Sequence, residues 1–148
     1  MNKLVAQTLA KKENGEKGFT LIELLVVVII IGILAAIAIP VFLNMREGAW
    51  KSSVESDVNS AVLAVEQAAQ ANNGSYSGLT SPATADASTK DSASATIGGQ
   101  TFTASGGNTI TVTITGNAYQ VTGVNKDYKP ASKGTFTFDS KDGSKVWK

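Results

Sequence analysis

Residues 18–45 read GFTLIELLVVVIIIGILAAIAIPVFLNM, and this stretch decides the fold. Its only charged residue is Glu23, and the next charge along the chain is Arg46. The uncharged run from Leu24 to Met45, at about 1.5 Å of rise per residue, spans roughly 33 Å as a helix, which is enough to cross a bilayer. An ionisable group near hydrocarbon costs about 2.5 to 3.5 kcal/mol, so Glu23 is a functional-site candidate and is expected to meet a cation.

The residues before this stretch set its expected orientation. Four lysines precede it against two glutamates, and positive charge on this flank predicts a cytoplasmic N-terminus and an exported C-terminus. A secretory signal peptide would have a shorter apolar region, although the small residues Ala36 and Ala38 leave late cleavage open. A plain single-span anchor is also open, but neither alternative explains Glu23.

The segment Gly18-Phe19-Thr20-Leu21-Ile22-Glu23, followed by residues 24–40, resembles the N-terminus of type IV prepilins and of the related pseudopilins. The resemblance implies that a membrane-embedded aspartyl peptidase cuts between Gly18 and Phe19. It also implies methylation of the new amine, which makes Phe19 an N-methylphenylalanine. The amine of Phe19 on a neighbouring subunit is then the implied partner of Glu23, with pairing inside one chain as the alternative.

A second periodic pattern follows the apolar stretch. Valines and an alanine recur at four- and three-residue steps with polar residues between them, which predicts an amphipathic helix; they are Val54, Val58, Val62, Val65 and Ala69. We expect one helix from about Thr20 to Ala71, capped by Asn72-Asn73-Gly74. The expected domains are a cytoplasmic leader (1–18), a transmembrane and filament-core helix (19–45), an amphipathic helix of the head (46–74), a surface loop (75–100) and a sheet (101–148).

Two residues are expected to weaken the apolar half of the helix. Gly32 costs about 1 kcal/mol relative to alanine in a helix interior, and Pro40 costs about 3 kcal/mol by removing an N–H donor and crowding the preceding turn. A modest kink is the simplest expectation for the isolated chain. The prepilin resemblance implies local melting of this segment in an assembled filament.

The C-terminal third changes to a period of two. Ile110, Val112 and Ile114 alternate with threonines, which predicts a half-buried strand, and Gly116-Asn117 predicts a two-residue hairpin turn. A further pair is expected at residues 135–138 and 145–147, and residues 101–104 are a candidate extra strand. The predicted fold is α+β, with the long helix packed on an antiparallel sheet of about four strands.

Composition argues against several chemistries. The 148 residues contain no cysteine and no histidine, so disulfides, thiolate metal sites and the commonest general base are excluded. A calcium loop at Asp139 and Asp142 is weighed against a plain hairpin turn, which is favoured because the spacing matches no known loop. Neither enzymatic activity nor a cofactor or metal is expected.

Lysines are concentrated near the C-terminus. Such a basic region could attract DNA or another polyanion, although solvated lysines that protect strand edges are the commoner explanation. The candidate residues are Lys126, Lys129, Lys133, Lys141, Lys145 and Lys148.

The favoured hypothesis is a structural subunit of a type IV pilus, polymerising through its N-terminal helix into a cell-surface filament that serves adhesion, motility or DNA uptake. The alternatives are a minor pilin, a secretion or competence pseudopilin, and a single-span anchored binding domain that never polymerises. The resemblance implies four partners: further copies of the chain, the prepilin peptidase, an assembly platform with its motor ATPase, and the membrane. Nucleic acid is a weaker candidate partner. The absence of an Asp-Pro-Trp-Gly-type segment favours a pilus subunit over a secretion pseudopilin.

Overall fold

The computed structural model describes residues 18–130 and 134–148. The chain divides into a first unit that ends at Phe42 and a second unit, the head, from Leu43 to Lys148. Helix α1 (Leu21–Ala71) belongs to both units and has 51 residues, as the sequence predicted. Within the described residues it is the one helix long and apolar enough to cross a membrane. The leader, residues 1–18, lies outside the described part except for Gly18.

The two helix-weakening residues lie inside α1. Gly32 and Pro40 are both helical, and the helix assignment runs through them without a break. A proline ring removes one hydrogen bond of the ladder, but the apolar residues on either side favour helix wherever backbone groups lack water. The melting implied for a filament therefore stays a prediction.

The end of α1 is the predicted cap. The backbone N–H of Gly74 donates to the carbonyl of Ala69 at 2.7 Å, and Asn73 and Gly74 take positive φ values of 55° and 78°. Left-handed residues at this place satisfy carbonyls that the last turn leaves free. The side chain of Asn72 also donates to the carbonyls of Ser75 and Ser77, at 2.8 and 2.9 Å.

The described part of the head contains seven strands, so the expectation of about four was too low. Five form one antiparallel sheet in the order β1-β4-β5-β6-β7, and β2 pairs with β3 in a separate two-stranded sheet. The strands are β1 (Ala83–Asp86), β2 (Ser92–Ile97), β3 (Gln100–Ser105), β4 (Asn108–Thr115), β5 (Ala118–Asn125), β6 (Thr135–Asp139) and β7 (Ser144–Trp147).

Residues 75–100 are not only a surface loop, because they contain β1 and β2. Ala83 and Ala85 of β1 point into the core, and Ile97 at the end of β2 is fully buried. These strands were missed because alanine, serine and threonine give a weak period-two signal. The candidate strand at 101–104 exists as part of β3, but it pairs with β2 and lies outside the five-stranded sheet.

The predicted hairpins are confirmed. Thr115 pairs with Ala118 across the two-residue turn, and Gly116 has a φ of 63°. Asp139 pairs with Ser144 across the turn between β6 and β7. The isoleucines and valine of β4 face the helix side, and its threonines form the other face, in register with Thr84, Thr122 and Thr137 of neighbouring strands.

Within the head, α1 packs against the sheet through a stripe of small and β-branched side chains. Val54, Val58 and Val65 are fully buried, and Val62 is partly buried at the border of the core. Gly123 of β5 allows the close approach, since a Cβ there would lie 2.7 Å from methyl groups of both Val54 and Val58. Separations that short do not occur between real carbon atoms, so this position requires glycine.

The last strand is fastened to the head without a disulfide. The backbones of Thr135 and Lys148 exchange two hydrogen bonds of 2.9 and 2.7 Å. The indole ring of Trp147 packs in a tilted arrangement against Phe136 and edge-to-face against Tyr128, with ring centroids 5.2 and 5.3 Å apart. Lys51 of α1 places its ammonium 5.5 Å from the Tyr128 ring and 5.7 Å from the Trp147 ring. Aromatic packing and cation–π contacts thus secure the C-terminus.

Candidate processing and assembly site

Thr20 and Glu23 form a reciprocal cap at the start of α1. The backbone N–H and the hydroxyl of Thr20 donate to Oε2 of Glu23 at 2.8 and 2.7 Å, and the N–H of Glu23 donates back to Oγ1 of Thr20 at 3.3 Å. The carbonyl of Thr20 accepts the first helical bond, from the N–H of Leu24. This is a capping box, in which a threonine at the N-cap and a glutamate three residues later satisfy each other's free groups.

The carboxylate of Glu23 therefore has a neutral partner within its own chain. The sequence predicted a cation for this acid, and the described residues supply instead the hydroxyl and N–H of Thr20. Both donors bind Oε2, whereas no hydrogen bond to Oε1 is found within residues 18–130 and 134–148. The second oxygen of the carboxylate is thus available to a further donor.

The predicted cleavage bond lies immediately before this cap. Gly18 and Phe19 are non-helical, and the Phe19 side chain is 87% exposed. Gly18 is also exposed, and among the described residues no atom lies within 4 Å of a Cβ built on it. A peptidase could reach the bond between these residues without unwinding α1.

The part of α1 that follows presents apolar side chains around its whole circumference. From Leu24 to Met45 every large hydrophobic side chain is about half exposed or more. A helix that is apolar on all sides is stable only in lipid or against other apolar helices. This exposed apolar surface therefore needs lipid or another protein surface to cover it.

The structure does not bring all of the candidate polyanion-binding lysines together. Lys126 and Lys129 follow the end of β5, and the backbone N–H of Lys126 donates to Gly107 beside β4, whereas Lys148 follows β7, on the other side of β6. Lys141 lies in the turn at the opposite end of β6, and Lys145 donates to Oδ1 of Asn59 at 2.8 Å. All five are exposed; Lys133 lies outside the described residues. Polyanion binding stays a prediction.

The alternative of a calcium loop gains no support from the turn between β6 and β7. Asp139 accepts from the N–H of Lys141, and Asp142 accepts from the N–H of Ser144, both at 2.9 Å. The Ser144 N–H lowers the pKa of Asp142. Both carboxylates thus stabilise the same turn, between β6 and β7. No cluster of three metal-ligating side chains occurs in the described residues.

Sequence reasoning missed a buried polar network centred on Asp57. Asp57 is one of the polar residues between the valines of α1, which were expected to face solvent, yet it is only 8% exposed. Its Oδ2 accepts a hydrogen bond from the backbone N–H of Ser105 at 2.7 Å. The Ser105 hydroxyl and the side-chain amide of Asn108 donate to the same carboxylate at 2.9 and 2.7 Å. Asn108 in turn accepts from Asn125 at 2.7 Å. The network joins α1 to the ends of β3, β4 and β5.

A second missed cluster joins α1 to the sheet through Glu66. Its carboxylate accepts from the hydroxyls of Tyr119 at 2.6 Å and Tyr76 at 3.1 Å, and the two rings lie 5.0 Å apart. Burial is the main cause that raises the pKa of both tyrosines, and the nearby carboxylate raises it further. Tyr76 and Tyr119 therefore join α1 to the head by ring packing as well as by hydrogen bonds.

Comparison with known families places the first part of the chain. The prokaryotic N-terminal methylation motif matches residues 14–39, which include the Gly18–Phe19 bond, the capping box and most of the apolar helix surface. The N-terminal segment is that of a type IV prepilin. Its prepilin character had been inferred from the residues around Glu23, and that inference is confirmed.

Curated proteins similar to the chain are named as fimbrial proteins or pilus components. A type IV major fimbrial protein FimA from Dichelobacter nodosus is 53% identical over 51 residues, which is 34% of this chain and 33% of that protein. A fimbrial protein from Pseudomonas aeruginosa is 47% identical over 55 residues, covering 37% of this chain and 36% of its own length. The type IV narrow pilus major component PilA5 from Thermus thermophilus is 52% identical over 40 residues, covering 27% and 34%.

The chain spans about one third of the length of the curated relatives it matches. No solved structure matches the chain. The prepilin segment is therefore placed by likeness, whereas the rest of the head is described by its own structure.

Proposed function

We propose that this chain is a structural subunit of a type IV pilus, which polymerises through α1 into a cell-surface filament. The observation that carries the proposal is the apolar, exposed surface from Leu24 to Met45, which starts directly after an open Gly18–Phe19 bond and a capped acid. A surface of this kind requires lipid before assembly and other helices after it. The names of the similar proteins point the same way.

The proposed precursor is a single-pass protein with its N-terminus in the cytoplasm and its head outside. A prepilin peptidase cuts between Gly18 and Phe19 and methylates the new amine. That amine lies one residue before the N-cap Thr20, at the end of a helix where positive charge is unfavourable. The negative charge of Glu23 offsets this cost. Its second carboxylate oxygen accepts a hydrogen bond from the amine of Phe19, either of a neighbouring subunit or of its own chain.

Assembly on this proposal needs further proteins. A helix in lipid gains no hydrophobic free energy by moving to other apolar helices, so packing and hydrogen bonding must replace its lipid contacts. Extraction of the helix against that balance calls for an assembly platform and a motor ATPase. The chain itself is proposed to have a structural role and no catalytic one.

The test is N-terminal mass spectrometry on filaments sheared from cells. We expect this chain to be a bulk component of the filaments and to begin with N-methylphenylalanine at position 19. Trace amounts in filaments would favour a minor pilin or a pseudopilin. An unprocessed N-terminus in a chain found only in the membrane would overturn the proposal in favour of an anchored binding domain.

A matched variant sharpens this experiment. A Cβ at position 18 meets no atom within 4 Å among the described residues, so we attribute a loss of processing in Gly18→Val to recognition by the peptidase and not to misfolding of the head. We expect this variant to accumulate as a full-length membrane protein without filaments. Filaments built from uncut Gly18→Val chains would contradict the requirement for cleavage.

A further inference from the structure

One short segment of the head combines an acceptor sequence with an open surface. Asn73-Gly74-Ser75 is the one Asn-x-Ser/Thr triplet in the 148 residues, and it follows directly after α1. Such a triplet, with any residue except proline in the middle, is the acceptor sequence for N-linked glycans on exported proteins. Of the other described asparagines, Asn108 and Asn125 are buried, and Asn59 accepts from Lys145.

The backbone of the triplet is fixed while its acceptor side chain is not. Asn72 holds the turn from one side through its two bonds to the carbonyls of Ser75 and Ser77, and Gly74 donates to Ala69. The side chain of Asn73 is exposed and makes no hydrogen bond to any residue in the described ranges. Gly74 is exposed as well, and no atom lies within 4 Å of a Cβ built on it, so nothing crowds this side of the turn.

The hydroxyl of the triplet is also available. Oγ of Ser75 accepts from the backbone N–H of Ser77 at 3.1 Å, which uses a lone pair and leaves the hydroxyl proton free. A transferase that reads the serine of the triplet therefore finds a donor held in place. The φ of 55° at Asn73 turns this residue out of the helix direction, into the left-handed conformation that asparagine tolerates well.

We propose that Asn73 carries an N-linked oligosaccharide. The donor is a glycan attached to a polyisoprenyl pyrophosphate. Nδ2 of Asn73 forms a bond to the anomeric carbon of the first sugar, the bond from that carbon to the phosphate oxygen breaks, and the pyrophosphate leaves with the electron pair. One proton of the amide passes to a base of the transferase, and nothing is oxidised or reduced. The inference rests on the exported head of the proposed function but not on polymerisation.

The test is mass spectrometry of the tryptic peptide 52–90 from the full chain, isolated from the membranes and from the sheared filaments of its native host. We expect this peptide to be heavier than its sequence by the mass of an oligosaccharide, located on Asn73 by fragmentation. Asn73→Gln and Ser75→Ala should abolish the added mass, and Ser75→Thr should retain it. Asn117→Gln, which changes an exposed turn asparagine outside any acceptor triplet, should leave it unchanged.

Two results separate this inference from the proposed function. Filaments whose peptide 52–90 has its unmodified mass would overturn the glycan and leave the pilus subunit standing. A glycan on Asn73 of a chain that never forms filaments would do the reverse. Added mass that persists in Asn73→Gln belongs to another residue and would also overturn the assignment.

Discussion

The indole Nε1 of Trp147 donates a hydrogen bond of 2.8 Å to Oε1 of Glu55, joining residues 92 positions apart in the sequence. Glu55 lies one turn beyond Lys51, whose ammonium stands over the same indole ring. One face of the helix thus supplies both a hydrogen-bond acceptor and a cation to the last strand. These contacts hold the C-terminal strand against α1 in a chain that has no cysteine.

Replacing Trp147 by phenylalanine separates the hydrogen bond from ring packing. We expect Trp147→Phe to lower the free energy of unfolding by about 0.5 to 1.5 kcal/mol, because a single hydrogen bond is lost while most of the aromatic contact stays. Denaturant unfolding of the full chain in detergent micelles measures the change. Trp50→Phe, which makes the same chemical change where the indole donates no hydrogen bond to the described residues, should have a smaller effect; equal losses would contradict a specific role for Glu55.

Asp57 is expected to be the most sensitive charged residue of the head. Asp57→Ala removes the acceptor of the part-buried Ser105 N–H and one of the two acceptors of the Asn108 amide, which keeps its 2.9 Å bond to Oγ of Ser53, at a cost of about 1 to 3 kcal/mol. Asp57→Asn should cost less, since it retains one acceptor oxygen. The control is Asp91→Ala at an exposed turn, expected to change stability by less than about 0.5 kcal/mol. If the two alanine variants unfold at the same denaturant concentration, the network contributes nothing.

Tyr119 should make the head sensitive to alkali. Burial and Glu66 raise its pKa above that of tyrosine in the unfolded chain, which is about 10. The unfolded state then releases its proton first, so the free energy of unfolding is constant below pH 10 on this account and falls as the pH rises further. Tyr119→Phe should flatten this dependence above pH 10. Tyrosinate absorbance followed together with circular dichroism checks it, and ionisation of Tyr119 before unfolding would disprove the shift.

The charge of Glu23 can be separated from its capping role. Glu23→Gln keeps an oxygen that accepts from Thr20, since glutamine also serves in a capping box, but it removes the charge. Glu23→Ala removes both. We expect both variants to be cut after Gly18 and both to yield few filaments, with assembly measured in sheared material and processing by N-terminal mass. Abundant filaments from Glu23→Gln would show that a neutral cap suffices and that no counter-ion is needed.

If the head binds polyanions, the lysines that follow β5 should contribute most to the binding. Lys126 and Lys129 both follow β5, whereas Lys141 and Lys145 flank the acidic Asp142, so replacing the first pair by alanine should weaken DNA binding more than replacing the second pair. Phosphate contacts of this kind are strongly salt-dependent, so retardation of DNA is expected at low but not at moderate salt. A chain that does not retard DNA even at low salt has no such site.

Much of the architecture could be predicted because strong local patterns determine it. The length of the apolar run and the valine period gave α1, and Gly116-Asn117 gave the central hairpin. β1 and β2 escaped because Ala83, Ala85 and their neighbours are too small to raise the hydrophobic signal of a strand. Ala83 of β1 pairs with Val112 of β4, which is distant in sequence, whereas β2 pairs with the adjacent β3 across the two-residue turn Gly98-Gly99.

The network around Asp57 escaped for a different reason. A charged residue at this place was counted with the polar side, although residues 54, 57, 58 and 61 follow the spacing of one helical face. That position in the middle of an apolar stripe was the available signal. Its partners Ser105 and Asn108 could not be found from the helix alone, since they lie about 50 residues further along the chain. Thr20 was likewise used only as part of the prepilin motif. Its position at the start of the helix, three residues before Glu23, was the available signal of a capping box.

The absence of a side chain at Gly123 sets the thickness of the head. Since two valine methyl groups occupy the space where a Cβ would be, even alanine must push the helix and the sheet apart and loosen every contact between these layers. Surface loops can change in length or composition without altering that separation. Position 123 therefore tolerates no side chain, although nothing but a hydrogen atom marks it in the sequence.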